Sequence, residues 1–273
     1  MPQAAVGSVT CHPHQSSLET VSFLICKNVK DQLKNWSFLF YKSLKLPLYP
    51  FSAIIILYRP QGESFMTMRD RMNNGQLFTD MCDGLPQRRA YAKNLMKAFN
   101  ETDHTQLEKR TEILSQLMNC GKDICIEPPF YCIYGKNITL GDGSFINMNC
   151  NFIDDGKITI GKKVLIGPAS TFITVGHPVN PALREYMYTD PVTICDNVWI
   201  GANVTICPGV TIGENSVIGA GSVVTKSIPA NSVAVGNPCR VIRQIGEKDE
   251  KFYYKDRVID PADLAAEAEL RKK

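Results

Sequence analysis

Aliphatic residues recur at every sixth position through residues 194–224 of the chain. A period of six is neither the helical period nor the alternation of a simple strand. It predicts a short strand plus a turn per unit, with one aliphatic side chain pointing inward. Three units complete a triangular coil of about 18 residues, so we expect Ile200 to lie directly beneath Ile218. The aliphatic positions are Ile194, Ile200, Ile206, Ile212, Ile218 and Val224.

The same interval occurs in two shorter runs earlier in the chain. Each coil of such a repeat can bury its aliphatic residue only against neighbouring coils, so the repeat has to continue. A β-sandwich with evenly spaced strands is the alternative fold, but glycines in phase at positions 201, 213 and 219 fit it poorly. We therefore predict a mainly β fold, a parallel β-helix of hexapeptide repeats. The earlier positions are Leu140, Ile146 and Phe152, followed by Ile160, Ile166 and Phe172.

The patterning divides the chain into four parts, of which three form the body. Residues 66–122 have apolar residues at three- and four-residue spacing and are predicted to be a small helical segment. Residues 123–245 are predicted to form the β-helix. Residues 246–273 are a polar tail that ends in a short exposed helix over residues 261–273. Within the helical segment, we expect one apolar stripe formed by Leu77, Phe78 and Met81.

Residues 1–65 differ from the rest, because they show no steady period and contain several prolines. The apolar run from Leu44 to Tyr58 is shorter than the ~20 residues of a membrane helix and is interrupted by a lysine. We expect these residues to be a non-native or disordered leader, with translation naturally beginning at Met66 or Met68. A membrane anchor is the alternative interpretation.

The hexapeptide phase is lost between Phe172 and Ile194, where residues 174–191 form an excursion loop. A long excursion from a rigid repeat commonly carries function. His177 lies in this loop, and a neutral imidazole is a natural general base for an uncharged hydroxyl near pH 7. A solvent-exposed loop histidine with no role is the alternative at this point.

Composition argues against several classes of function. The formal net charge of +3 belongs to residues 1–65, because the charges of the rest of the chain cancel. A neutral body argues against nucleic-acid binding, which needs a basic face. The ten cysteines are scattered without a Cys-x-x-Cys pair, which favours free thiols in a reducing cytoplasm. A single histidine in the repeat region argues against a catalytic zinc site and excludes a γ-type carbonic anhydrase.

Several motifs resemble those of the galactoside and maltose O-acetyltransferases, a family of hexapeptide-repeat acyltransferases. The resemblance extends over roughly residues 68–258, and the run Gly75–Pro86 looks specifically like the galactoside enzymes. The hexapeptide pattern alone identifies a fold, whereas the histidine loop and the N-terminal run make the match specific. The other matching motifs are Tyr134–Ile138, Asn147–Asn149, Ile153–Asp155, Gly176–Val179, Asn197–Gly201 and Gly219–Lys226.

The resemblance implies a homotrimer of left-handed β-helices, with active sites between adjacent subunits and the loop around His177 reaching over a neighbour. It implies acetyl-CoA as the co-substrate and no metal. His177 is then the base that removes a proton from a sugar hydroxyl, which attacks the thioester directly without an acyl-enzyme. The positions that match sugar-site residues, with Asn147 near the reacting centre, are Asp80, Arg89, Asn147, Asp155 and Met187.

The resemblance also implies a coenzyme A site. Lys226, Arg240 and Arg243 make physical sense as partners of phosphate groups on a neutral body. A solvated turn lysine is the alternative for Lys226, and support of a β-helix corner is the alternative for Trp199. The full set of matching positions is Trp199, Ala202, Ala220, Thr225, Lys226, Arg240 and Arg243.

One departure from the family pattern concerns the acceptor. Ile133 stands where close relatives carry a polar residue that contacts the sugar, which puts galactoside specificity in doubt. The loop after His177 also looks about two residues shorter. We expect acetylation of the primary 6-hydroxyl of a galactoside or related sugar. Alternatives are the same chemistry on maltose, glucose or a hydroxylated antibiotic, or an inactive β-helix assembly module.

Overall fold

The computed structural model describes residues 23–24, 55–56, 66–262 and 264–265. The chain divides into two compact units, Met1–Phe65 and Met66–Lys273. In the first unit, β1 (Phe23–Leu24) and β2 (Ile55–Ile56) pair antiparallel. The prediction for residues 1–65 as a leader otherwise lies outside the described residues, as does most of the helix predicted over residues 261–273. No helix in the described ranges has the length and hydropathy to cross a membrane.

Three helices precede the repeat: α1 (Met68–Asn73), α2 (Leu85–Asn100) and α3 (Leu107–Leu117). Thr67 begins α1 with a reciprocal cap, in which its hydroxyl accepts from the amide of Asp70 and Asp70 accepts from the amide of Thr67. The buried faces of α2 and α3 pack onto the first coils of the repeat. A short helix, α4 (Glu247–Lys251), lies in the tail.

The expectation of helix is wrong for residues 74–84. This segment is not helical, and Phe78 forms an antiparallel β-bridge with Met187 of the excursion loop. The predicted apolar stripe is also wrong, because Phe78 is fully buried whereas the side chain of Met81 is 72% exposed. The pairing of Phe78 with Met187 makes the chain extended at Phe78, and the local spacing of apolar residues cannot predict a partner so distant in sequence.

The repeat forms three parallel sheets, one on each side of a triangular coil. Sheet I contains β3 (Asn119–Cys120), β6 (Ile138–Leu140), β9 (Ile158–Ile160), β14 (Val192–Ile194) and β17 (Thr211–Ile212). Sheet II contains β4 (Cys125–Ile126), β7 (Phe145–Ile146), β10 (Leu165–Ile166), β15 (Trp199–Ile200), β18 (Val217–Ile218) and β20 (Ser232–Val235), and β21 (Arg240–Gln244) adds antiparallel to β20. Sheet III contains β5 (Phe130–Cys132), β8 (Cys150–Ile153), β11 (Thr171–Ile173), β16 (Thr205–Ile206) and β19 (Val223–Val224).

The register confirms the predicted stacking. Ile200 pairs with Ile218 in the next coil, and both side chains are fully buried. Inside sheet III, the rings of Phe130, Phe152 and Phe172 form a column with centroid separations of 5.2 and 4.5 Å. The aliphatic and aromatic positions of the hexapeptide pattern therefore fill the interior, as their spacing predicts.

The early coils are longer than the repeat predicts. Ile126, Ile146 and Ile166 pair in successive coils and are 20 residues apart, whereas Ile200 and Ile218 are 18 apart. The extra residues lie where the chain turns from sheet III back to sheet I, which we call the III–I corner. In three consecutive coils this corner is formed by residues 133–137, 154–157 and 174–191. The enlarged corner is where the candidate site lies.

The opposite edge of sheet III is a tight turn from sheet II, which we call the II–III corner. Three successive coils turn there through a non-glycine residue in the left-handed region, with φ of 63° at Asn149, 59° at Ala169 and 56° at Asn203. Asparagine tolerates this conformation better than most residues, which explains its recurrence at this corner. Two further short pairs complete the structure, namely β12 (Val175–Gly176) with β13 (Tyr188–Thr189), and β22 (Phe252–Tyr254) with β23 (Arg257–Val258).

Candidate active site

The excursion loop has a defined structure. Its two ends form an antiparallel hairpin in which Gly176 lies opposite Tyr188. The ring of Tyr188 packs over Gly176, where a Cβ atom would lie 2.6 Å from its hydroxyl oxygen, so a larger residue at this position would have to displace that ring. At the tip, Asn180 Oδ1 accepts from the amide of Ala182 at 3.0 Å and begins a single 3-10 turn over Pro181–Leu183. The loop therefore holds the residue after Gly176 in a fixed place.

That residue is His177, which is exposed and whose ring nitrogen Nδ1 faces two backbone carbonyls. The Nδ1 atom lies 2.8 Å from the oxygen of Arg184 and 3.0 Å from that of Tyr186. Because carbonyl oxygens only accept, these partners assign the proton of the neutral ring to Nδ1. Nε2 then carries the free lone pair. The loop therefore presents an imidazole with its basic nitrogen available.

A carboxylate and an ion pair lie near this imidazole. Asp155, in the III–I corner of the preceding coil, is only 5% exposed. Burial raises the pKa of Asp155, while a hydrogen bond from its own backbone amide and the charge of Arg89 lower it, as a protonated His177 would. Arg89 on α2 also donates to Asp80 Oδ2, and both side chains of this pair remain about a quarter exposed. The structure thus brings four of the predicted residues to the III–I corner.

Met187 belongs to an apolar wall beside these charges. Its amide and carbonyl exchange hydrogen bonds of 2.9 Å with those of Phe78. Its side chain packs, with those of Ile133 and Val175, against a small buried cluster that includes Phe78 and Tyr134. Ile133, the position at which the resemblance implies a polar sugar contact, therefore contributes apolar surface to this wall.

Asp154 is a residue of this corner that the sequence analysis missed. Its side chain is fully buried, and Oδ1 accepts from the amides of Ile133 and Tyr134 at 2.7 and 2.9 Å. Burial raises its pKa to about 7. The longer interval between Phe152 and Ile160, which contains two consecutive aspartates, is the sequence signal that could have pointed to it.

The remaining predicted residues lie elsewhere on the same chain. Asn147, Ala202 and Ala220 follow strands of sheet II and lie at the II–III corner. The four residues of β8 separate Asn147 from the III–I corner in its own coil, a span of roughly 13 Å for an extended strand. The side-chain oxygen of Asn147 accepts from the amide of Met148 at 2.8 Å. Within one chain, the structure does not bring Asn147 and His177 together.

The cationic positions divide between two places. Thr225 and Lys226 follow β19 at the III–I corner of a later coil, whereas Arg240 and Arg243 lie on β21. Arg243 makes a two-pronged ion pair with Asp249, at 2.7 and 2.8 Å. A phosphate bound by Arg243 would have to compete with this carboxylate or share the guanidinium with it. Trp199 lies on the outer face of sheet II with 55% of its side chain exposed.

No group of three or more His, Cys, Asp or Glu residues that could hold a metal ion occurs in the described part of the chain. A cavity of about 370 Å³ lies beside the III–I corner, where Gly156 and Thr189 contribute to its lining. Its lining includes none of the predicted site residues. Of the four predicted residues at this corner, His177 is exposed, Arg89 and Asp80 are about a quarter exposed, and Asp155 is buried.

Comparisons with known proteins identify the family. The bacterial transferase hexapeptide model (six repeats) matches residues 191–226, and the maltose acetyltransferase hexapeptide capping motif matches residues 71–120. Galactoside O-acetyltransferase of Escherichia coli strain K12 is 48% identical over 198 residues, which cover 71% of this chain and 98% of that protein. The galactoside O-acetyltransferase of Lactococcus lactis is 42% identical over 205 residues, covering 74% and 97%.

Solved structures agree with the sequence matches. A galactoside acetyltransferase in complex with coenzyme A is 48% identical, with a TM-score of 0.70 over 72% of this chain and 100% of its own. A maltose O-acetyltransferase from Clostridium difficile 630 is also 48% identical, with a TM-score of 0.66 over 67% and 99%. The chain is an acetyltransferase that belongs to the family of hexapeptide-repeat galactoside and maltose O-acetyltransferases.

Proposed function

We propose that the protein transfers the acetyl group of acetyl-CoA to the primary 6-hydroxyl of a galactoside or related sugar, with His177 as the general base. The observation that carries this proposal is the pair of carbonyls at 2.8 and 3.0 Å from Nδ1 of His177. They hold the ring in the tautomer whose Nε2 accepts a proton. The coenzyme A complex of a 48% identical relative supports the choice of acyl donor.

The reaction follows from this tautomer. Nε2 takes the proton of the acceptor hydroxyl as its oxygen attacks the carbonyl carbon of the thioester. The tetrahedral intermediate then collapses, the carbon–sulfur bond breaks, and the proton passes from the imidazolium to the departing thiolate of coenzyme A. The carbonyls of Arg184 and Tyr186 stabilise the imidazolium while it exists, in the role that a carboxylate plays in other acid–base sites.

A covalent acyl-enzyme on the buried cysteines Cys132 and Cys150 is disfavoured by their raised pKa values. Burial raises the pKa of Cys150 to about 11, and it raises the pKa of Cys132 further. Such thiols are poor nucleophiles near neutral pH. Direct transfer therefore fits these cysteines better. The free thiols of Cys120, Cys132, Cys150 and Cys239 also support our placement of the enzyme in a reducing cytoplasm.

The proposed site is completed by a second copy of the chain in a homotrimer. His177, Asp155 and Arg89 lie at the III–I corner, whereas Asn147 and Ala202 lie at the II–III corner across the width of sheet III. A neighbour that places its II–III corner against the III–I corner would bring the acceptor and coenzyme A halves together. The exposure of His177 in a single chain is consistent with a wall supplied by another subunit.

The acceptor is assigned from the polar and apolar parts of the corner. Asp80, Arg89 and Asp155 provide carboxylates and a guanidinium for sugar hydroxyls. The apolar wall of Ile133, Val175 and Met187 favours an acceptor with an apolar aglycone or face over a fully hydrophilic one. This wall keeps a hydroxylated antibiotic as a second candidate, whereas maltose remains a candidate because of the 48% identical maltose O-acetyltransferase.

The test is the initial rate of coenzyme A release with a panel of acceptors. The panel contains β-galactosides with small and with aromatic aglycones, together with maltose, glucose and chloramphenicol. We expect turnover with galactosides and a higher kcat/KM for the aromatic aglycone. Ile133→Ser should remove that preference, because it restores a hydroxyl at the sugar contact. Turnover with none of these acceptors would contradict the proposed function. Turnover with chloramphenicol alone would show that the acceptor is a hydroxylated antibiotic and not a sugar.

A further inference from the structure

Buried hydroxyls join adjacent coils at the corners of the β-helix. Ser144 Oγ donates to the carbonyl of Gly161 at 2.8 Å and accepts from the amide of Val164 at 3.0 Å. Ser170 makes the same two kinds of bond to the next coil, at 3.1 and 3.3 Å. Each hydroxyl satisfies a carbonyl and an amide of one neighbouring turn, which would otherwise be buried without partners.

Thr174 supplies a buried hydroxyl that joins two coils at the III–I corner. Its side chain is fully buried, and Oγ1 donates to the carbonyl of Ile153 at 2.6 Å and accepts from the amide of Gly156 at 2.8 Å. These two backbone groups lie on either side of Asp154 and Asp155. The hydroxyl therefore closes the turn that presents Asp155.

The same turn is held from the preceding coil. The side-chain amide of Asn137 donates to the carbonyls of Asp154 and Asp155 at 2.7 and 3.1 Å. A Cβ atom at Gly156 would lie 3.1 Å from the Cβ atom of Thr174, so the backbone segments of these two adjacent coils are in close contact. The turn therefore has little freedom to move unless the Thr174 hydroxyl or the Asn137 amide is removed.

Thr174 also begins the segment that carries the proposed base. His177 lies three residues further on, and the carbonyl of Thr174 accepts from the amide of Asp190 at 2.8 Å, which closes the base of the excursion loop. One residue thus touches both the turn that presents Asp155 and the loop that presents His177.

We propose that Thr174 is a positioning residue that fixes Asp155 relative to His177, and so places the acceptor hydroxyl against Nε2. The inference rests on the proposed function, because it assigns the acceptor to Asp155 and the base to His177. A small displacement between two such groups is costly, since a misplacement of ~1 Å can lower a rate by about 10²-fold.

The test compares Thr174→Val with Thr174→Ser and with Ser144→Ala. Valine keeps the shape of threonine but removes the hydroxyl, whereas serine keeps the hydroxyl. Ser144→Ala removes a matched hydroxyl at a corner that is not part of the site. We expect Thr174→Val to lower kcat/KM for the sugar by about 10²-fold with KM for acetyl-CoA unchanged, and Thr174→Ser to restore most of the loss. Ser144→Ala should lower the melting temperature while leaving kcat/KM at the wild-type value.

Three outcomes would overturn the inference. They are wild-type kcat/KM in Thr174→Val, an equal loss in the valine and serine variants, and an equal loss in Ser144→Ala. Should Thr174→Val fail to fold, Asn137→Ala opens the same turn from the other coil and should give the same selective loss in kcat/KM for the sugar. Wild-type turnover in His177→Ala would instead refute the proposed function, so the two failures are distinguishable.

Discussion

Replacing His177 by alanine is expected to lower kcat by roughly 10²- to 10⁴-fold, the usual contribution of a general base. The variant removes Nε2 and the two hydrogen bonds from Nδ1, but it leaves the hairpin of β12 and β13 intact. Because the ring is exposed on a surface loop, the melting temperature should change little. Steady-state rates of coenzyme A release at saturating acceptor measure the effect.

His104→Ala is the matched control for this variant. His104 is also exposed, lies in the helical segment and makes no contact with the proposed site residues that the structure describes. Its replacement should leave kcat at the wild-type value. Unchanged turnover in His177→Ala, with the oligomer intact, would remove His177 from the role of base.

Replacing Phe152 by alanine is expected to cost about 3–5 kcal/mol of unfolding free energy, the range for a buried phenylalanine. Its ring is fully buried between those of Phe130 and Phe172. Removing the middle ring leaves a cavity that neither neighbour can fill, because each is held by its own strand in sheet III. Urea denaturation at fixed protein concentration measures the loss.

Thr171→Ala is the control on the same sheet. Thr171 points outward from β11 and is partly exposed, so its replacement should change the unfolding free energy by less than about 1 kcal/mol. A similarly small effect of Phe152→Ala would mean that the three rings do not support one another. The predicted stacking of coil upon coil would then be wrong at its best-packed point.

The sequence predicted the interior of the repeat well, because each coil repeats the same environment. The residue at each sixth position points inward and packs against the residue at the same position of the next coil, as Ile200 does against Ile218. The period alone therefore determines which side chains are buried. The same regularity hides what happens at the corners. The coils of 20 residues were not expected, although the wider interval from Phe152 to Ile160 indicated the extra turn residues.

Features that depend on distant pairings were not predictable from local patterns. Phe78 is extended because it pairs with Met187, and nothing in the neighbouring sequence indicates that partner. The ion pair of Arg243 with Asp249 likewise depends on how the tail folds back beside β21. Asp154 was missed because a sequence does not show which of two consecutive buried aspartates accepts the backbone hydrogen bonds of its turn.

The candidate site contains features that the sequence predicts and features that it does not. The family motifs identified His177 and Asp155 individually, and the structure brings both to the III–I corner with Arg89 and Asp80. Asn147 was predicted to act beside them but lies at the other corner of its own chain. A sequence cannot tell whether two matched positions meet within one chain or between two.

The most direct measurement is therefore the activity of trimers reassembled from equal amounts of His177→Ala and Asn147→Ala chains. If one subunit supplies His177 and its neighbour supplies Asn147, about a quarter of the sites in the mixture receive both intact residues. The mixture should then regain about a quarter of wild-type activity, although each variant alone is nearly inactive. Activity that stays at the level of the separate variants would contradict a site shared between two copies of the chain.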